Sequence, residues 1–237
     1  MNEWPTILAL PLWAWIFVLP SLVAAMCLAT PQLIRPVVSP FWGFLDRLYT
    51  GFGALAAVFL IIILLIIMGQ MGARWGGVSF PGSTAYAGYA MAASSFFALA
   101  YTLVKGAHIR VSILLQIAPG KAFWVDAFAS LIAAWIATFF ARFAIRAAVF
   151  SEMLNDRTQG QDQVPDWLLA VASMFGTWPW EWGALWAEVT GEWVYTPIWL
   201  PQISMAVGCV LLAIAMWDML FRLLLNGETS IKGEAVE

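Results

Sequence analysis

The stretch VKGAHIRVSILL, residues 104–115, holds Lys105, His108 and Arg110 within six residues of one another, in a chain otherwise poor in charge. His108 is the only histidine. A single imidazole cannot supply bis-histidine haem ligation, and no histidine–carboxylate cluster with metal-ligand spacing accompanies it. On a helical wheel, Lys105, His108, Ser112 and Gln116 share an arc of about 80°. Aliphatic side chains cover the rest, and Arg110 sits among them, almost opposite the polar arc. That pattern predicts an amphipathic helix in the membrane interface. Its arginine either snorkels to lipid phosphate or pairs with a carboxylate on a partner. Lys105, His108, Arg110 and Ser112 are therefore candidate partner or lipid contacts.

Other reactive patterns are missing. Cys27 and Cys209 lie in apolar stretches without a CxxC pair, and read as small buried hydrophobes. There is no Gly-rich phosphate loop, no GxSxG and no basic patch for nucleic acid. The sequence assigns no catalytic, cofactor-binding or metal residue.

The elements that must carry these residues are membrane helices. Hydrophobic residues make up 62% of the 237 and charged ones 11%, with mean hydropathy +0.83; soluble domains carry about 25% charged residues. Several apolar runs reach the ~20 residues that cross a bilayer. They are continuous rather than alternating, which selects helices over a barrel.

The predicted fold is an all-α integral membrane bundle. It has four main spans, an extra N-terminal span in residues 1–30, and interfacial amphipathic helices. The apolar stretch from Trp4 to Thr30 contains Pro11 and Pro20, so it either spans as a kinked helix or lies partly in the interface. A membrane domain over 31–225 follows, and a tail, 226–237, closes the chain. Pro31, Pro36 and Pro40 predict a broken lead-in ending in a short interfacial helix near Phe41–Leu48, before a span at Phe52–Gln70. Tyr86–Leu103 is rich in small residues, which predicts a helix at the centre of the bundle. Ala122–Ala141 spans and continues towards Phe150. The last span, Ile198–Trp217, runs on through the i,i+4 pair Asp218 and Arg222 to a C-cap at Asn226-Gly227.

Basic residues that flank spans prefer the cytoplasm. Lys105, Arg110, Lys121, Arg222 and Lys232 place the 104–121 loop and the C-terminus there, and residues 151–196 outside. This insert is acidic and rich in tryptophan. Asp166 predicts the cap of a short helix that Gly176 ends. A second helix over residues 179–193 would put Glu181, Glu188 and Glu192 on one face, with Trp182, Trp186 and Trp193 together about 100° away. The six residues form either an interfacial tryptophan belt or a docking surface for another protein.

Three landmarks carry a family resemblance. GAHIRVSILL is similar to the Gly-x-His-Ile-Arg-Val-x-x-Leu signature of the small permease subunit of tripartite ATP-independent periplasmic (TRAP) transporters. Residues 80–106 and 196–220 resemble the stretch before that signature and the closing helix of the same family. The resemblance covers roughly Phe41 to Leu225, apart from the insert. It implies a non-catalytic, cofactor-free inner-membrane subunit that scaffolds a large permease. That permease couples uptake of organic acid anions to sodium, and a periplasmic solute-binding protein delivers them. Ser112 stands where the family often has an aspartate, and residues 83–86 lack the usual acid. With the extra N-terminal segment and the insert, these departures leave a second reading: a related subunit recruited to another membrane complex, photosynthetic or respiratory.

Overall fold

The computed structural model describes residues 4–7, 9–105, 122–174 and 176–227. Among these, seven α-helices and two small antiparallel sheets are present. Strands β1 (Thr6–Ile7) and β2 (Leu10–Pro11) pair at the N-terminus, and a π-helical turn, Ala14–Val18, leads into α1 (Leu19–Ala29). Then come α2 (Pro31–Trp75), α3 (Ser83–Val104) and α4 (Ala122–Met153). The insert holds β3 (Gln163–Pro165), α5 (Asp166–Met174), α6 (Trp182–Ala187) and β4 (Trp193–Tyr195). The last helix is α7 (Trp199–Asn226).

Four helices (α2, α3, α4 and α7) are long and apolar enough to cross a membrane. They pack in the order α2, α3, α7, α4, with α1 laid against α7 and α2. The small-residue helix α3 therefore shares the middle of the bundle with α7. Close backbone approach explains why. A Cβ on Gly208 of α7 would lie 2.6 Å from the carbonyl oxygen of Phe96, and one on Gly53 of α2 would lie 2.6 Å from the Tyr101 ring. Ala100, Ala134 and Ala215 are fully enclosed between helices. Lipid offers no hydrophobic drive for helix association, so contacts between small side chains and interhelical hydrogen bonds hold the bundle. Ser94 donates to the Ala56 carbonyl (2.9 Å), tying α3 to α2. Trp217 Nε1 donates to Thr138 Oγ1 (2.9 Å), tying α7 to α4.

The prolines near the N-terminus act differently from the sequence expectation. Pro31 opens α2, whereas Pro36 and Pro40 lie inside it, so the lead-in and the span form one 45-residue helix. Each internal proline deletes one backbone bond, and a membrane helix tolerates that loss where neighbouring structure re-satisfies the freed carbonyls. The first apolar segment is short. Its five-residue turn and eleven-residue helix extend about 24 Å at 1.5 Å per residue, less than the ~30 Å hydrocarbon core.

The insert also corrects the sequence reading. A 3₁₀ turn at Pro179–Glu181 and the six-residue α6 replace the expected helix over 179–193. Residues 188–192 are non-helical, and Trp193 opens β4. Glu181, Glu188 and Glu192 thus share no helical face. The stop at the end of α7 is as expected: Gly227 is left-handed (φ 69°) and its N–H bonds the Leu223 carbonyl.

Candidate functional site

Two polar assemblies and one aromatic surface stand out on this scaffold. The first joins α2 to α7. Arg222 donates from Nε to Asp218 Oδ1 (3.0 Å) and from Nη2 to Asp46 Oδ1 (2.7 Å), with Nη2 also 2.9 Å from Asp218 Oδ2. The buried Tyr49 hydroxyl reaches Asp218 Oδ2 at 3.4 Å, and the guanidinium lies over the Trp42 ring. Asp218 is 4% exposed, so its charge needs these partners. The i,i+4 spacing predicted the Asp218–Arg222 half of the assembly. Asp46 and Tyr49 come from the other end of the chain and carry no local signal.

The second assembly fastens the insert to the bundle. Asp162 is fully enclosed. Tyr89 of α3 donates to its Oδ2 (2.5 Å), and its backbone carbonyl accepts from both the N–H (3.1 Å) and the hydroxyl (3.0 Å) of Thr196. Tyr86 donates to the neighbouring Gln163 carbonyl (2.5 Å). Burial alone pushes the Asp162 carboxyl up. Hydrogen bonding from Tyr89, with the Thr158 hydroxyl close by, outweighs it and holds the group below the ordinary aspartate range. The Thr158 hydroxyl closes no hydrogen bond of good geometry, although its N–H donates to the Thr196 carbonyl (2.9 Å), and Asp162 Oδ1 has no well-aligned partner. Gly82, in the left-handed region (φ 75°), brings the chain within 2.9 Å of the Asp162 Cα, measured from where a Cβ would stand. Only glycine fits both the angle and the space.

Inside the insert, β3 and β4 pair antiparallel, matching Gln163 with Tyr195 and Pro165 with Trp193. Asp166 accepts from the Thr190 N–H (2.6 Å) and hydroxyl (2.7 Å) and from the Gly191 N–H (3.0 Å). Those bonds hold its carboxyl below the ordinary range. The residue expected as a helix cap thus also clasps the returning strand.

The aromatic surface is open. Trp178 and Trp180 stack face to face, ring centroids 5.0 Å apart, and are 65% and 73% exposed. Trp182, Trp186 and Trp193 are exposed as well, and Trp182 Nε1 donates to the Met174 carbonyl (3.0 Å). Glu181, Glu188 and Glu192 are exposed around them, at the end of the 3₁₀ turn, just after α6 and just before β4. Of the other candidates, Lys105 follows α3 and is exposed, with its ammonium 5.8 Å from the Tyr101 ring centroid. His108, Arg110 and Ser112 lie outside the described residues. Among the described residues no group of three His, Cys, Asp or Glu side chains could hold a metal ion.

Four long apolar helices joined by buried polar ties, with the 151–196 insert clamped to the bundle, define a polytopic helical membrane protein. Residues 62–177 match the model of the family described as tripartite ATP-independent periplasmic transporters, DctQ component. Over this stretch, just under half of its length, the chain is similar to a TRAP small permease component. The match takes in the 80–106 landmark and the His108–Arg110 signature; the third landmark, 196–220, lies beyond it. No curated protein and no solved structure matches the chain.

Proposed function

We propose that the chain scaffolds a large permease in the bacterial inner membrane, and that this permease takes up organic acid anions with sodium and a periplasmic binding protein. The chain itself performs no catalysis. The observation that supports this reading is the DctQ match over residues 62–177. The four apolar helices fit it, since α2 and α4 turn long lipid-accessible faces outward where a larger subunit could seat. The 104–121 loop and the C-terminus lie on the cytoplasmic side in this reading, and residues 151–196 in the periplasm. Lys105, His108, Arg110 and Ser112 contact the large permease or lipid phosphate.

Co-expression with a large permease, followed by affinity purification and an organic-acid uptake assay, tests the proposal. A stable complex, and uptake lost on deletion of the chain, are expected. Absence of the complex together with unchanged uptake would reject it. Arg110→Ala is expected to lower complex recovery more than thermal stability.

One observation favours a second reading, a structural subunit of another membrane complex. The exposed tryptophans Trp178, Trp180, Trp182, Trp186 and Trp193 all lie beyond the matched residues. Aromatic residues at that density are typical of interface anchors. Native-gel mass spectrometry of the endogenous assembly decides between the two, because a transporter-only set of partners removes the second.

A further inference from the structure

A cavity of about 970 Å³ lies between the N-terminal segment, the start of α2, α4 and α7. Its volume is near the upper end of the ~300–1,000 Å³ typical of ligand sites. Ile16, Val38, Phe41 and Ile214 line its apolar body. Arg142 and Arg146, one turn apart on α4, line the same space. The N-terminal wall and the start of α2 precede the matched residues, so the cavity is not built from the family domain alone.

The charges in this cavity do not balance. Arg142 is 8% exposed, and its guanidinium lies over the Trp4 ring. Arg146 approaches the Phe143 ring. Among the described residues neither arginine meets a carboxylate. Asp218, the one acidic wall residue, is committed to Arg222. A buried cation without an anion is costly, and stacking on an aromatic ring covers only the face of the guanidinium. Its N–H donors point outward in the guanidinium's own plane, ready for a bidentate oxyanion.

The charge is also at one end. α4 and α7 run antiparallel, with Ala144, Ala141 and Ala137 packed against Ala206, Cys209 and Ala213. The Thr138–Trp217 hydrogen bond fixes the level between them. Arg142 and Arg146 stand one and two turns to one side of that level, and Phe221 one turn to the other. The lined space therefore runs about 18 Å at 1.5 Å per residue, cationic towards one end and apolar along the rest. We propose that this cavity binds an anionic phospholipid, with the phosphate on Arg142 and Arg146 and an acyl chain along Val38, Phe41 and Ile214.

The full chain, purified in detergent, is titrated with phosphatidylglycerol or phosphatidylcholine, and bound lipid is counted by native mass spectrometry. Two arginines near an anionic headgroup predict a preference of about tenfold or more for phosphatidylglycerol. The double variant Arg142→Gln/Arg146→Gln removes that preference, and Arg142→Lys/Arg146→Lys restores most of it. Val38→Trp fills the apolar body and lowers retention of both lipids. Glycerol phosphate, which lacks acyl chains, does not displace bound lipid. An unchanged preference in the glutamine variant overturns the proposal. So does displacement by glycerol phosphate at matched concentration, which would assign the arginines to a free anion. If the glutamine variant does not fold, Val38→Trp decides alone, and undiminished lipid retention there also overturns the site.

Discussion

The bundle and the insert are held together by opposite means. In the bundle, α3 and α7 meet through glycine and alanine, and few polar bonds cross between helices. In the insert, large aromatic side chains remain on the surface, and the chain is pinned by two aspartates that accept donors from distant segments. The bundle's interior is thus defined by how little side chain stands between its helices. The insert's shape depends on a handful of hydrogen bonds. A defect in the first should be global, and a defect in the second should detach a module and leave the spans standing.

The sharpest way to break that comparison is Gly208→Val. The new Cβ would meet the Phe96 backbone itself at 2.6–2.7 Å, so α3 and α7 must separate. Overpacking ordinarily costs about 1–3 kcal/mol, and a clash with backbone, which cannot change rotamer, lies at or above the top of that range. Little monodisperse protein should survive in detergent on size-exclusion chromatography. Gly53→Ala meets only the Tyr101 side chain and should leave the chain folded. Equal damage from both would show that side-chain adjustment does not relieve the contact.

Next in size is Arg222→Leu. Removing one partner of a buried ion pair costs about 3–5 kcal/mol, because the remaining charge stays buried. Arg222 is partly exposed, with 26% of its side chain accessible, which puts the expected loss near the lower end. Adding Asp218→Asn should recover part of it, since the stranded charge is then gone. A thermal-unfolding cycle over the two single variants and the double variant measures this coupling. A double variant as unstable as the sum of the singles would mean that the pair contributes nothing as a pair.

The same contrast governs what could be read from the chain. The spans, their order and the capped end of α7 were legible because apolar length, small-residue content and the Asp218–Arg222 spacing are local signals. The continuity of α2 was not. Proline reads as a break in water, but a membrane helix can carry Pro36 and Pro40. In the insert, periodicity promised a helix over 179–193, but the helix stops at Ala187, and the Asp166–Thr190 clasp and the β3–β4 pairing lead the chain into a strand at Trp193–Tyr195. Glu192 is held beside Asp166 by a backbone bond (3.0 Å) that no pattern of charges announces. Asp162 was illegible for the same reason: its partner Tyr89 lies 73 residues earlier, on a span.

The smaller effects belong to the insert and should spare the bundle. Asp162→Asn loses a charge-assisted bond from Tyr89, worth about 1.5–3 kcal/mol. The expected result is faster proteolytic cleavage between residues 151 and 196, with little change in the melting of the spans. A drop in bundle stability as large as that of Arg222→Leu would erase the distinction between the two regions.

Acid should reproduce this detachment in the unaltered chain. Asp162 and Asp166 both titrate below the ordinary aspartate value in the folded protein. A carboxyl of depressed pKa stabilises the fold fully above its unfolded value, near pH 4, and that contribution is lost as pH falls through the folded value. Between pH 8 and 5 the insert should therefore stay docked. Below about pH 4 its tryptophan fluorescence and protease sensitivity should change, while far-UV helicity holds. In Asp162→Asn the remaining acid response reports Asp166 alone and should be smaller. If the variant and the parent chain respond identically, Asp162 is not the group that senses acid, and the clasp at Thr190 and Gly191 carries the whole effect.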